Sequence, residues 1–219
     1  MLRLLLAIVF YAWAGQALAQ QPAILVLGDS LSAGYGLGTD QGWVTLLQQR
    51  LQRQGYPYRV INSSISGNTT RGGLRRLPRA LNRYRPEIVI VELGGNDGLR
   101  GLSMDKMRRN LASIVETSRE QGAKVLLVGV RLPPNYGAAY ITKFHDVYRN
   151  LEKIYQLPLV PYLLDGIGGR DELMQADRLH PRAEAQSRML DNVWRQLAPM
   201  LKRLAPQSPE ERTPAPAPS

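Results

Sequence analysis

Five short apolar runs, each followed by a stretch of helical period, constrain this chain more than any other feature. The runs cover residues 24–27, 58–62, 88–93, 124–130 and 159–161. Near-continuous apolarity rich in β-branched residues suits strands covered on both faces. The intervening segments 42–54, 71–84, 103–121, 140–156 and 182–197 repeat apolar residues on one side. Trp43, Leu46, Leu47 and Leu51 do so in the first, and Leu74, Leu77, Leu81 and Tyr84 in the second. Ser103 is placed to cap the third, and Gly122 follows it. Strand–helix alternation predicts the α/β class, with a five-stranded parallel sheet between two helical layers in a three-layer α/β/α sandwich. Ligands of such sheets bind beyond the carboxyl ends of the strands.

The two ends of the chain read differently. Arg3, an apolar stretch over 4–13 and Ala17-Leu18-Ala19 form the pattern of a secretory signal over residues 1–19, with Gln20 as the first mature residue. The stretch is shorter than the roughly 20 apolar residues that span a bilayer. Export to a periplasm, or secretion, is the expectation. Residues 205–219 are Pro- and Ala-rich and read as a disordered tail. This leaves 20–204 as one domain. The absence of cysteine excludes disulfides, thiolate metal sites and a cysteine nucleophile. A net charge of +10 brings nucleic acid, anionic membranes and acyl substrates into consideration. No zinc finger or aromatic RNA-binding motif is present, so nucleic acid is set aside. Arg71, Arg75, Arg79 and Arg83 recur opposite the leucines of their helix. They allow transient contact with a membrane surface, although a solvated helix face is the plainer reading. No interface segment is evident, so a monomer is expected.

Three motifs close predicted strands: Gly28-Asp29-Ser30-Leu31, Ser66-Gly67-Asn68 and Gly94-Gly95-Asn96-Asp97. A fourth, Asp177-Arg178-Leu179-His180, precedes the last helix. Together they supply the parts for acyl transfer. Ser30, in a turn after a strand, is the candidate nucleophile, and its N–H a candidate oxyanion donor. A serine hydroxyl needs a base, and the chain has two histidines. His145 falls on the polar side of a helix and reads as solvated. His180 lies in a loop before Pro181, which favours an extended backbone, and is the candidate base. Asp177, three residues earlier, is placed to orient its ring. Gly67 permits close backbone approach to a ligand, and Asn96 offers an amide, which completes an oxyanion hole of Ser30, Gly67 and Asn96. With two histidines and no cysteine, no metal site suggests itself. Neither a phosphate-binding nor a dinucleotide-binding glycine pattern occurs. The Gly-x-Ser-x-Gly elbow is absent too.

These motifs resemble the SGNH (GDSL) hydrolase superfamily, and within it the bacterial periplasmic acyl-CoA thioesterase I, lysophospholipase and arylesterase group. The likeness runs from about Ile24 to Leu197. It rests on the segments 27–35, 64–67, 91–101 and 131–137 and on His180-Pro181. It implies a flavodoxin-like sandwich without a cofactor, with Ser30, Gly67, Asn96, Asp177 and His180 in the roles above. The usual Asp-Gly-x-His is Asp177-Arg178-Leu179-His180 here, and Asn68 stands where Asp is common. The resemblance also implies breadth, over acyl thioesters, aryl and alkyl esters and lysophospholipids. Asp29, Leu31, Leu99, Arg131, Leu132, Pro133, Tyr136 and Arg178 are the expected substrate-binding residues. A carbohydrate O-acetyl esterase acting on cell-wall glycan is a competing expectation, and a non-catalytic acyl- or lipid-binding protein a third.

Overall fold

A computed structural model describes residues 21–204; the signal expected over 1–19 and the tail over 205–219 lie outside them. Five strands alternate with seven α-helices in chain order. These are β1 (Ala23–Gly28), α1 (Ser30–Ala33), α2 (Trp43–Arg53), β2 (Arg59–Asn62), α3 (Thr70–Tyr84), β3 (Ile88–Glu92), α4 (Gly95–Leu99), α5 (Met104–Glu120), β4 (Lys124–Val128), α6 (Ala138–Tyr155), β5 (Leu159–Val160) and α7 (Gln186–Leu204). All neighbouring strands pair in parallel, in the order β2-β1-β3-β4-β5. This is the flavodoxin-like order, whose direction reverses between β1 and β3.

Alternation within each strand splits the core in two. Ile24 and Val26 of β1 face Trp43, Leu47 and Leu51 of α2 and Met189, Val193 and Leu197 of α7. Leu25 and Leu27 face the other way, towards Leu77 of α3, Leu111 of α5 and Phe144 of α6. Since both faces are covered, the strands carry no polar alternation, as expected for a buried parallel sheet.

Several elements depart from the sequence expectation. The short helices α1 and α4 replace what reads as turns; each is a single turn and offers no apolar period. The strands end one or two residues early, at Glu92, Val128 and Val160, where the chain bends into the loops that build the site. Ser103 caps α5 as expected, accepting from the Lys106 N–H at 3.4 Å. Among the described residues no helix is long and apolar enough to cross a membrane.

Candidate active site

Ser30 is the first residue of α1, two residues past the last hydrogen-bonded pair of β1 and β3. Asp29 caps this turn by accepting the Leu31 N–H at 3.1 Å. The Asp29 N–H in turn donates to Glu92 Oε2 at 3.3 Å, and the Ser32 hydroxyl donates to the same oxygen at 2.7 Å. The turn that carries Ser30 is therefore bolted to the end of the neighbouring strand.

The loop after β5 folds back as a small hairpin to reach Ser30. An isolated bridge pairs Met174 with Pro181, the Gln175 N–H donates to His180 O at 2.7 Å, and Gln175 Nε2 donates to Tyr35 O at 2.8 Å. At its tip, Asp177 Oδ1 accepts the N–H groups of Leu179 and His180, both at 3.0 Å. Its other oxygen lies 2.6 Å from His180 Nδ1, and His180 Nε2 lies 2.8 Å from Ser30 Oγ. The tautomer follows from the network: Nδ1–H donates to Asp177, and the serine hydroxyl donates to Nε2. Burial works against the charged Asp177 carboxylate. The hydrogen bonds from the His180 ring and from the two N–H groups outweigh it and hold Asp177 below its ordinary pKa. Tyr35 packs on the imidazole, with ring centroids 4.5 Å apart.

Asn96 and Gly67 enter from the next two loops. Gly94 turns the chain at φ 121°, and a Cβ there would meet Tyr148 Oη at 2.3 Å, so only glycine fits. Asn96 Nδ2 donates to Asp29 Oδ2 at 3.0 Å. Arg100 Nη2 donates to Asn96 Oδ1 at 3.3 Å and to Gly67 O at 3.0 Å. The amide is thus held at both ends, and one guanidinium ties it to the Gly67 turn. Gly67 has φ 75°. Among the described residues the N–H groups of Ser30 and Gly67 have no paired acceptor. Asp97 fastens the same two loops from beneath, accepting the Thr70 N–H at 2.8 Å and the Thr70 hydroxyl at 2.6 Å.

Below this surface lie two buried carboxyls. Burial, then the nearby Asp29 charge, raises Glu92 well above its ordinary value. Burial likewise raises Asp29 to about 6, against the hydrogen bonds from Leu31 and Asn96. Neither Glu92 nor Arg100 stands out in the sequence as a site residue. Glu92 ends an apolar run, a position where a lone acid is unusual, and that is the one signal it gives.

A cleft of about 740 Å³ opens in front of Ser30 and His180. Leu31, Leu99, Arg131, Leu132, Pro133 and Arg178 line it. Asp29 touches it too, but its carboxylate is spent on Leu31 and Asn96 rather than on solvent. Tyr136 does not line it: its hydroxyl donates to Leu99 O at 2.8 Å, and so braces α4 from behind. Arg131 stacks over the Tyr162 ring, 4.4 Å from its centroid. Arg178 has φ 56°, the left-handed conformation that favours glycine. His145 stays on α6, away from the cleft. It is half-buried rather than solvated, and burial lowers its pKa, helped by Arg131 and Arg149. Among the described residues no cluster of acidic or histidine side chains could hold a metal ion.

Residues 26–188 match the family model of the GDSL-like lipase/acylhydrolase family. The chain belongs to that family. It is accordingly a hydrolase of the SGNH type. Esterase TesA of Pseudomonas aeruginosa is 53% identical over 186 residues, which cover 85% of this hydrolase and 92% of TesA. Thioesterase 1/protease 1/lysophospholipase L1 of Escherichia coli K12 is 39% identical over 183 residues, 84% of this chain and 86% of that one. A crystal structure of TesA matches with a TM-score of 0.80 at 53% identity, covering 81% of this hydrolase and 99% of that chain.

Proposed function

We propose that this hydrolase is a serine esterase and thioesterase that cleaves acyl esters and thioesters through an acyl-enzyme on Ser30. The observation that carries this is the unbroken relay from Asp177 Oδ2 through the His180 ring to Ser30 Oγ, with links of 2.6 and 2.8 Å. Ser30 Oγ attacks the acyl carbonyl while its proton passes to His180 Nε2. The oxyanion that forms meets the Ser30 and Gly67 N–H groups and the Asn96 amide. The carbon–oxygen or carbon–sulfur bond then breaks, and the imidazolium returns the proton to the leaving group. Water, deprotonated by the same nitrogen, attacks the acyl-enzyme; its proton passes from His180 to Ser30 as the acid departs. Asp177 keeps the imidazole in the required tautomer and stabilises its charged form.

The substrate class follows from the cleft and the relatives. Leu31, Leu99, Val130, Leu132 and Pro133 give it an apolar wall for an acyl chain. The relatives are named esterase and thioesterase/lysophospholipase, which supports aryl esters, acyl thioesters and lysophospholipids as substrates. Arg131 and Arg178, which line the cleft, supply cations for a phosphate-bearing leaving group. Export after removal of residues 1–19 and action as a monomer complete the reading.

The test is hydrolysis of p-nitrophenyl esters from acetyl to dodecanoyl by the wild type and Ser30→Ala. Turnover that depends on Ser30 and peaks at medium chains is expected. Wild-type rates in Ser30→Ala would overturn the mechanism. Turnover confined to acetyl would assign the protein to glycan O-deacetylation instead, and absence of turnover and of phosphonate labelling at Ser30 would leave a binding protein.

A further inference from the structure

The large apolar side chains that reach solvent lie mostly at one end of the molecule. Among the described residues they are Tyr35, Ile65, Leu102, Ile154 and Leu179. Single exposed apolar residues scattered over a surface need no explanation. Here, four of the five lie on loops that leave the carboxyl edge of the sheet, the edge that carries Ser30. Tyr35 follows β1, Ile65 follows β2, Leu102 closes the loop after α4, and Leu179 follows β5. Ile154, in the last turn of α6, is at the opposite end.

The site itself accounts for two of these. Tyr35 packs on His180, and Leu179 lines the cleft. Ile65 and Leu102 have no such role. They are 51% and 43% exposed and lie outside the cleft. Both are held beside its mouth. The Ile65 N–H donates to Gly28 O at 3.1 Å, two residues before Ser30, and the Leu102 N–H donates to Asp97 O at 2.9 Å. Arg100 links the two segments through Gly67 O.

Charge on this part of the rim is one-sided. The first two turns of α3 expose Arg71 and Arg75, Arg100 is exposed between the loops, and the first turn of α5 exposes Lys106 against Asp105. The whole of α3 holds no acidic residue. Among the described residues none of these four cations takes part in a salt bridge.

We propose that this half of the rim, Ile65 and Leu102 flanked by Arg71, Arg75, Arg100 and Lys106, docks on an anionic lipid surface and turns the cleft mouth towards it. The cations attract the protein to negatively charged head groups, and the two apolar side chains enter the boundary between head groups and acyl chains. A nucleic acid or an acidic protein loop would satisfy the cations but would offer nothing to an isoleucine and a leucine on loop tips. The neighbouring cleft has apolar walls, so an acyl chain leaving the lipid passes from one apolar environment into another. The purpose of this docking rests on the acyl-hydrolase reading above; its evidence does not.

Co-sedimentation of the full chain with vesicles tests it. One set is phosphatidylcholine alone, and the other contains roughly one-third phosphatidylglycerol. Arg71→Gln with Arg75→Gln is one variant, and Ile65→Ser with Leu102→Ser the other. Turnover of soluble p-nitrophenyl acetate reports the fold and the chemistry of each. The wild type should bind the anionic vesicles and not the neutral ones. The arginine pair should weaken binding roughly thirtyfold, and the apolar pair should weaken it as well, with soluble turnover unchanged in both. Salt near 1 M should release the wild type. Failure of the wild type to bind anionic vesicles, equal binding to both sets, or wild-type binding by both variants would overturn the proposal. Capture by duplex DNA or heparin without vesicle binding would assign the face to a soluble polyanion and overturn it equally. Loss of soluble turnover in the wild type would count against the hydrolase reading alone, since vesicle binding is read independently.

Discussion

The two sides of the cleft are built to opposite standards. The nucleophile side rests on buried polar groups: Asp29 is 3% exposed, Glu92 and Thr70 are fully buried, and Asp97 is nearly so. Each of these side chains bonds to a different loop from its own, so β1, β3 and the start of α3 hold one another in place. The base side is a hairpin at the surface. The Asp177 side chain is 38% exposed, Arg178 and Asp171 pair in solvent, and most bonds of the tip close within four residues. The difference fits what each side does in the proposed mechanism. Oxyanion donors work by being fixed before charge develops, and burial fixes them. The imidazole must gain and lose a proton in each cycle, and a locally braced loop lets it do so without placing a charge in the core.

This contrast predicts that chemistry and stability separate on the base side and fall together on the nucleophile side. Asp177→Asn should cut kcat by roughly 10³–10⁴, because the amide favours the wrong imidazole tautomer. The same substitution should change unfolding free energy by less than about 1 kcal/mol, since the group is over one-third exposed. Steady-state kinetics beside a urea titration measures both, and a large loss of stability would erase the contrast. Asp97→Ala attacks the other side. It leaves the Thr70 N–H and hydroxyl without their charged acceptor, which should cost about 4 kcal/mol of stability. It should also lower kcat, by loosening the Gly67 turn against Asn96. Unimpaired stability in this variant would mean that the buried side is less tightly coupled than its bonds imply.

Much of this design was legible in the sequence, and the exceptions have physical causes. The strands were visible because both faces are covered, which leaves runs such as Ile88-Val89-Ile90-Val91 without polar interruption. Ser30, Asn96 and His180 were visible because each sits in a motif that interrupts or follows an apolar element. Glu92 was hidden inside such a run, and its partners, Ser32 and the Asp29 N–H, lie sixty or more positions away. Arg100 reads as a surface cation until the fold brings Gly67 beside it. Tyr136 lies on the expected loop, but its ring turns behind α4 to reach Leu99, a direction no spacing encodes. At Arg178 the departure from glycine was visible, but its backbone conformation was not.

The buried side also carries a pH signature opposite in sign to that of Asp177, whose lowered pKa favours the folded state as pH rises. Burial raises Asp29 from its ordinary 3.8 to about 6. Between those values the folded protein keeps a proton that the unfolded chain has lost. Stability from this group is therefore full below about pH 4 and falls as pH rises towards about 6.5, by up to roughly 3 kcal/mol. Asp29→Asn removes that dependence and also loses one bond, because a single amide oxygen cannot serve both Leu31 and Asn96. Urea titrations across this range should show the variant gaining on the wild type as pH rises. A constant difference between the two proteins would mean that Asp29 titrates in the ordinary range despite its burial.

The smallest effect is the most local. Arg178 holds a left-handed backbone at φ 56°, which costs a residue with a side chain about 1 kcal/mol relative to glycine. Arg178→Gly relieves that cost. It gives back part of the gain through the greater freedom of glycine in the unfolded chain, and the exposed pair with Asp171 at 3.3 Å contributes little. The net should be a gain of about 0.5 kcal/mol, visible as a Tm higher by a degree or two. On a neutral aryl ester, kcat and KM should hardly move, since the Asp177–His180 bonds do not pass through this side chain. On an acyl-CoA, KM should rise, because the leaving group carries phosphates past the residue removed. A chain that tolerates strain at this one position for the sake of a cation would show both changes together. A stability gain with KM unaltered on both substrates would reduce Arg178 to a strained turn residue and leave Arg131 as the cation facing the leaving group.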